Sequence, residues 1–584
     1  MKDFVIAQDE AGGWLLFADP VRCLLADTQA AVAGVLEAAS QAIADGFCVA
    51  GFMSYEAAAG IDPVMAVHPA SGHVPLAWFG VYREPERMAS LPVLSSRLPY
   101  RLGAWACDTS AEDYGEAIRR IKDYIHAGDT YQVNYTVRLR APFEGEPYGL
   151  FRQLVEAQQA RHAVYVETEA LAVCSASPEL FLERDGQRIL SRPMKGTSAR
   201  GLTSGEDRRL AAALAGSEKN RAENVMIVDM IRNDIGRIAA AGSVQASRLF
   251  EVETYPTLHQ MVSTVEARTD ADFARTIGAL FPCASITGAP KVRTMQIIRE
   301  LERSPRGVYT GMCGYWMPGD RARFNVAIRT VVIDRRTGEA EYGTGGGIVW
   351  DSTCESEYRE CFTKAEILTR PVIPVFQILE SLLYDPVDGW FLLEAHVQRA
   401  AGSALYFGYP FKEAAMRESL DACVAGQPHG QPLKVRWLLS ADGRMHAEAS
   451  VLAGGDETWT VGIADNACRH DDVFVYHKTT HRRVYDEALK RFPACRDVIL
   501  VNEQGLVTES CYANVVLETA AGVKITPPVS SGLLDGTFRA QLVARGDIRE
   551  QPVTVGMLRQ ADRVWLVNSV RKWIPVRLAN AAIA

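Results

Sequence analysis

The sequence predicts an α/β (α+β) chain built as two bodies, and three observations carry that expectation. Its 584 residues exceed what one hydrophobic core supports. Helix-periodic segments lie among strand-like runs, with no repeat at any solenoid period. The pattern breaks at Thr369-Arg-Pro-Val-Ile-Pro374. Two prolines three apart favour an extended connection over a continuing helix. The boundary therefore falls near residue 370, with a large body over residues 1–370 and a second over 371–584, a size that fits a two-lobed α/β unit.

Bulk properties exclude several classes. A net charge of −9 and a pI near 5.8 leave no basic stripe to replace counterions, which argues against nucleic acid as a partner. Apolar stretches such as Ala30–Leu36 and Val498–Val501 are far too short to span a membrane. Met1-Lys-Asp-Phe leads into mixed polar sequence without a signal-peptide core, so a soluble cytoplasmic protein is expected. Twelve cysteines are scattered with no Cys-x-x-Cys pair. That usage fits reduced thiols rather than a disulfide framework or a zinc site.

Taken in order, Tyr114 to Gly128 reads as an amphipathic helix with Tyr114, Ile118, Ile121 and Ile125 on one stripe and Gly128 as its stop. It delivers a strand-like run, Asp129–Asn134. Further on, Lys195 lies between a Ser177-Pro178-Glu179 turn and a helix over Asn220–Met230. There Val225, Val228 and Ile231 are expected to face the core and Glu223 to lie off that stripe. A lysine amine becomes a covalent nucleophile when its pKa falls or a neighbour takes its proton. Alone, Lys195 would read as a solvated surface lysine; the flanking carboxylates make it a candidate.

Ser285–Lys291 is a hydroxyl- and glycine-rich turn, Phe324–Arg329 a strand presenting a guanidinium fork, and Gly343–Ile348 a glycine run that lets backbone N–H groups approach a ligand. No G-x-x-x-x-G-K-[ST] phosphate loop occurs. A last helix spans Glu355–Leu368, with Glu357, Glu360 and Lys364 on one face. That face is either a solvated, salt-bridged surface or part of a magnesium site made by Glu223, Glu360 and, through water, Glu357. Magnesium takes one or two carboxylates and keeps open positions for water and an anionic substrate.

In this order, residues 113–368 resemble the catalytic region of chorismate-utilising enzymes. The matching segments are 125–134, Ser177–Phe181, Lys195–Thr197, 219–234, Ser285–Lys291, Tyr309–Gly314, Arg329, Gly345–Gly347 and Asp351–Lys364. The resemblance implies a large sandwich of antiparallel sheets with helices, completed by the N-terminal portion around Gly51–Glu56. It also implies chorismate as substrate, lined by Gln132, Thr287, Tyr309, Arg329, Gly345, Gly346 and Lys364, with Mg2+ held by Glu223, Glu357 and Glu360. Relatives that add water to the ring carry a lysine base where this chain has Gln132. Relatives that make anthranilate usually carry alanine where it has Lys195. Lysine there resembles the aminodeoxychorismate synthase component I branch, in which Lys195 would attack the ring and Glu179 would assist departure of the hydroxyl. Cys354 stands where the family often has proline, and a local backbone change is expected there. No feedback-inhibitor motif is recognisable.

The second body carries Tyr476-His-Lys-Thr-Thr480, Glu509 thirty-one residues after Lys478, Glu394–Arg399, Ser531–Arg539 and Val567-Asn-Ser569. This set resembles the fold-type IV pyridoxal phosphate enzymes, which include branched-chain and D-amino-acid aminotransferases and aminodeoxychorismate lyase. The resemblance implies that Lys478 holds pyridoxal 5'-phosphate covalently and moves protons, and that Glu509 faces the pyridine nitrogen. Arg399, backbone N–H groups at Thr537 and Phe538, and Ser569 would grip the phosphate, with Asn514 supporting the ring. Arg436 is a candidate for a substrate carboxylate. Arg483 departs from the family, since aminotransferase relatives often place tyrosine there. Fold-type IV relatives dimerise, so a homodimer through this body is expected.

The two implied chemistries join: an aminated chorismate from the first body is what the second would convert, by loss of pyruvate, to 4-aminobenzoate. With no Gly-x-Cys-x-Gly elbow in the sequence, ammonia is expected from a separate glutamine amidotransferase subunit or from solution. The rival is an anthranilate-type synthase joined to an aminotransferase-like domain. A chorismate-binding regulatory protein would need the acidic set or Lys478 to be missing, and both are present.

Overall fold

A computed structural model of the chain describes residues 3–579 except 11, 93, 95–98, 370–373, 426, 428–429, 453 and 455–457. The expected junction around 369–374 thus falls largely outside the described residues. Two compact units result: Met1–Ala199 with Ala211–Ile373, and Arg200–Leu210 with Pro374–Ala584. Among the described residues, no helix is long and apolar enough to cross a membrane.

Two large sheets, of eleven and ten strands, form the first unit, and their strand pairings are antiparallel. Side-chain alternation explains how they stack. On the Phe4–Gln8 strand, Val5 and Ala7 enter a core shared with Phe52, Trp78 and Tyr315 of the other sheet, while Phe4 and Ile6 face away towards the helix Pro147–Gln158. On the opposing sheet Tyr315 and Met317 point inward, whereas Trp316 packs outward among the helices Gln29–Ala44, Glu218–Gly236 and Phe273–Leu280. Both sheets are therefore apolar on both faces, and helices cover the outer ones. This is the expected sandwich, and the strand Cys48–Met53 completes the ten-stranded sheet.

Three local readings need correction. The helix containing Glu223 runs Glu218–Gly236, and its buried stripe is Asn224, Ile227, Val228, Ile231 and Ile235. Val225 is 40% exposed, because it lies about 100° round from Asn224, whose side chain accepts a hydrogen bond from Ser263. The strand expected to present Arg329 ends earlier, as Arg321–Val326, and Arg329 follows in a left-handed conformation with φ 51°. The glycine run lies within the strand Glu339–Ile348, paired with Gln132–Gly145 so that Gly345, Gly346 and Gly347 face Thr136, Tyr135 and Asn134. The helix expected from Glu355 begins at Cys354, capped by Thr353, and stays regular to Ala365. Its first position also suits proline, so cysteine there leaves the carboxylates on regular helix.

The second unit has a four-stranded antiparallel sheet (Ile378–Asp385, Gly389–Trp390, Leu433–Leu439, Met445–Val451) and an eight-stranded mixed sheet. The parallel pairing of Trp459–Cys468 with Asp497–Asn502 and Lys572–Leu578 marks the second sheet. Each sheet has its own apolar core, which is the two-lobed arrangement expected.

Candidate active sites

In the first unit the site is assembled by strand pairing. Lys195 lies on Met194–Ala199 and Gln132 opens Gln132–Gly145. They meet over Gly347: a Cβ built there would sit 2.1 Å from Gln132 Nε2 and 2.9 Å from Lys195 Nζ. Gln132 is fully buried, and neither of its amide atoms has a partner among the described residues. An unpaired buried amide costs free energy, so this one is poised for a ligand.

Burial pushes the Lys195 amine below its usual range and nearby Lys364 lowers it further, while Glu179, Glu223 and Glu360 pull it back up. Glu179 is buried, and loss of water raises its carboxyl to about 7, against the opposing pulls of Ser285 and Lys195. One of its oxygens, Oε1, has no partner among the described residues. A lysine eased towards its neutral form beside a carboxyl that holds its proton near neutrality is a nucleophile with an acid at hand.

The helix Cys354–Ala365 presents Glu357, Glu360 and Lys364 beside Gly346, where an added Cβ would lie 3.1 Å from Glu357 Oε2. Lys364 ion-pairs with Glu360 at 2.6 Å and donates to the Gly345 carbonyl at 2.8 Å. That pairing draws Glu360 down in pKa, whereas burial and the neighbouring Glu360 raise Glu357. Among the described residues no three His, Cys, Asp or Glu side chains converge to hold a metal ion. Glu360 is paired with Lys364, and Glu223 acts electrostatically on Lys195. Two carboxylates beside Gly346 still suit magnesium, which needs only one or two and completes its shell with water and substrate.

Arg329 donates to the Lys364 carbonyl at 3.0 Å, which fixes its fork beside that helix. Thr287 is buried, with its hydroxyl on the Ala284 carbonyl and its own carbonyl accepting from Asn134 N. Tyr309 is buried under the Arg138 guanidinium, 5.4 Å from the ring, and fills the space a side chain at Gly343 would need.

The second unit holds a cavity of about 350 Å³ lined by Arg399, Lys478, Glu509, Asn514, Thr537 and Ser569 among others, six of the residues expected there. Burial, with Arg399 and Arg482, lowers Lys478 to about 8. Burial raises Glu509 to about 7; Tyr485 donates to its Oε1 at 2.8 Å, and Asn514 lies 3.3 Å from Oε2. Gly536 leaves room for the Asn514 amide, since a Cβ would meet Asn514 Oδ1 at 2.1 Å. It leads into the helix Thr537–Ala544, whose start offers backbone N–H groups to an anion. The Phe538 side chain turns away from the cavity, its ring packing against Phe391 and Trp573. Arg436 is also outside, paired with Glu448 at 3.4 Å, and Lys434 two residues earlier lines the cavity instead. A depressed lysine, a buried carboxyl and a glycine-led helix start in one cavity fit pyridoxal phosphate.

Sequence reasoning missed several contributors. Glu380, 1% exposed, holds Arg399 through Nε and Nη2 at 2.9 and 2.6 Å and receives His396 Nδ1 at 2.7 Å. An acid flanked by apolar residues within the strand Ile378–Asp385 is its only signal. Arg483, the noted departure, is exposed and faces Glu487, whereas Arg482 and the buried Tyr485 line the cavity. Nothing local in the sequence marks those two.

Residues 4–370 match the chorismate binding enzyme family, and the chain belongs to that family. Residues 377–579 match amino-transferase class IV. Over 280 residues the chain is 41% identical to aminodeoxychorismate synthase component 1 of Salmonella typhimurium, covering 47% of this chain and 61% of that one. It is 40% identical over 270 residues to anthranilate synthase component 1 of Thermus thermophilus, covering 45% and 57%. The chain thus spans about three fifths of the length of the curated relatives it matches. The crystal structure of anthranilate synthase component I from Streptococcus pneumoniae shares the fold, with a TM-score of 0.54 at 23% identity, over 62% of this chain and 93% of that one.

Proposed function

We propose that the chain makes 4-aminobenzoate in two steps, amination of chorismate by residues 1–370 and elimination of pyruvate by residues 371–584. The observation that carries the reading is Lys195 Nζ beside the unpartnered Gln132 amide over Gly347. Identity alone does not separate the aminodeoxychorismate and anthranilate branches, at 41% and 40%. The lysine does. The neutral Lys195 amine forms a bond from Nζ to ring C2, both ring double bonds shift towards C4, and the C4 hydroxyl leaves as water with the proton that Glu179 holds up to about neutrality. Ammonia then bonds at C4, both double bonds shift back, the Lys195 amine leaves C2, and the proton shed by the incoming nitrogen returns to Glu179. Splitting one hard displacement into two covalent steps is what a positioned amine offers. Gln132, a neutral amide, cannot activate water as a lysine base would. Magnesium would sit on Glu357 and Glu360, with Glu223 nearby, and neutralise a substrate carboxylate; Arg329 and Lys364 add positive charge there.

In the second unit Lys478 would hold pyridoxal phosphate, which supplies an electron sink for the carbanion formed when a C4 proton leaves. Glu509, held by Tyr485 and Asn514, would face the ring nitrogen, and Arg399, the Thr537 and Phe538 N–H groups and Ser569 would bind the phosphate. Lys478, eased to about 8, moves the proton between C4 and the departing pyruvate. Chorismate, ammonia from a separate glutamine amidotransferase, a homodimer through the second unit and a cytoplasmic location complete the reading.

The test is chromatography of products from the full chain with chorismate, ammonium, magnesium and pyridoxal phosphate. 4-Aminobenzoate with pyruvate is expected, and Lys195→Ala should abolish both. Anthranilate from the wild type, or full para activity in the variant, refutes the proposal.

A further inference from the structure

The second unit includes Arg200–Leu210, which in sequence lie within the stretch of the first unit. This short segment holds its own arginine still. Asp207 grips Arg200 through Nε and Nη2 at 2.7 and 3.0 Å and also accepts from Gly201 N at 3.0 Å. Glu206 accepts from Leu202 N at 2.9 Å. The turn is so tight that a Cβ at Gly201 would meet Asp207 N at 2.3 Å.

The arginine acts on the helix Leu393–Phe407. That helix carries His396, Arg399, Ser403 and Tyr406 at spacings of three and four, hence along one face. Its last carbonyls have no partner within the helix. Arg200 Nη2 donates to one of them, Tyr406 O, at 2.8 Å, and its guanidinium carbon lies 4.0 Å from the Tyr406 ring centre. A cation there also suits the negative end of the helix dipole. Beside Tyr406 is His477, the residue before Lys478. Their ring centres are 4.4 Å apart, and Ser403 Oγ lies 2.9 Å from His477 Nδ1. Burial lowers the His477 imidazole to about 4, while the Leu202 backbone pulls it up, Arg200 pushes it down and Asp207 pulls it up. The segment thus acts directly on the neighbour of Lys478.

Lys478 is thereby held from both sides. Its carbonyl accepts from Leu379 N and Thr480 N donates to Gln377 O, each at 2.9 Å, while His477 fixes the preceding peptide. Arg399 lies one turn before Ser403 on the same helix and lines the same cavity. A rigid cofactor that meets both Lys478 and Arg399 needs them at a fixed separation, and looseness of an ångström is costly. We propose that Arg200, clamped by Asp207, is a positioning residue of the second unit's cofactor site, setting Lys478 against Arg399 through Tyr406 and His477. This rests on the pyridoxal phosphate reading of that cavity, and it makes residues 200–210 a working part of the second activity although they lie within the sequence of the first.

The test uses the full chain, stripped of cofactor and titrated with pyridoxal phosphate, with visible absorbance and circular dichroism of the bound cofactor followed together. Arg200→Ala should bind it at least about 10-fold more weakly, because a hydrogen bond from a charged group is lost. The cofactor that still binds should show a weaker visible dichroic band, which a loss of stability alone does not produce. Arg200→Lys keeps a cation for Tyr406 O and should recover most of the affinity. Asp207→Asn should move both readouts the same way by a smaller factor, and it decides the matter if Arg200→Ala does not fold. Arg444→Ala removes an exposed cation paired with Asp442 and should leave both readouts at wild type. Wild-type affinity and dichroism in Arg200→Ala, or in Asp207→Asn where that variant decides, overturn the proposal. So do an Arg200→Lys variant no better than Arg200→Ala and equal weakening by Arg444→Ala. Failure of the cofactor reading shows separately, as wild type that gains no visible band dependent on Lys478, and failure of the lyase reading as absence of pyruvate when wild type is given the aminated substrate.

Discussion

Gly347→Ala separates chemistry from folding in the first unit. The added methyl would lie 2.1 Å from Gln132 Nε2, 3.0 Å from Gln132 Cδ and 2.9 Å from Lys195 Nζ. Non-bonded heavy atoms settle near about 3.5 Å, so the amide tip must retreat by roughly 1.4 Å and the amine by roughly 0.6 Å. Gln132 is fully buried and cannot swing into solvent. Both clashing atoms are nevertheless the ends of flexible side chains, so the stability cost should stay within the ordinary overpacking range of about 1–3 kcal/mol. A shift of that size at the reacting amine costs on the order of 10²-fold in rate. The expected outcome is a folded protein with cofactor binding intact and chorismate amination reduced on the order of 100-fold. Gly345→Ala is the contrast, since its methyl meets backbone atoms of the neighbouring strand, Tyr135 O at 2.3 Å and Thr136 Cα at 2.7 Å, and should cost folding itself. Chorismate consumption with ammonium, read beside the unfolding midpoint, checks both variants. Gly347→Ala within about 2-fold of the wild-type rate would refute the placement of Lys195 and the reasoning of about 10²-fold loss.

Three further predictions concern charge. Glu179 acts as an acid only while protonated, so amination should fall as pH rises through about 7; a pH–rate profile checks it, and Glu179→Gln should lack that limb. Because its folded pKa lies above the unfolded value, its contribution to stability is present at low pH and is lost as pH rises through about 7. Glu380→Gln should release Arg399 and His396 and lower cofactor affinity by at least about 10-fold, or about 1.4 kcal/mol, in an absorbance titration; unchanged affinity would mean that Arg399 is held without it. Glu302 is buried between Arg138 and Arg306, accepting from them at 3.1 and 2.7 Å, so Glu302→Gln should cost about 3–5 kcal/mol in denaturant unfolding of the first unit.

The sequence by itself determined the chemistry-bearing residue types and their order. Lys195 rather than alanine, Gln132 rather than lysine, and Lys478 with Glu509 are facts of covalent identity, readable without a fold. It also determined the helices whose apolar period is strong, such as Ala111–His126, where Tyr114, Ile118 and Ile121 are buried as their spacing requires. Where the period was weaker, phase was misread, and Val225 went to solvent while Asn224 went to the core. Only the tertiary structure decided that Gly347, Gln132 and Lys195 share one point in space. Strand register sets that meeting, and register comes from pairing between segments far apart in the chain. It likewise decided that Lys364 occupies Glu360, that Arg329 turns out of its strand, and that Glu380 holds Arg399. A residue's identity is local, but its neighbours and its proton affinity are set by packing, which no single stretch of sequence contains.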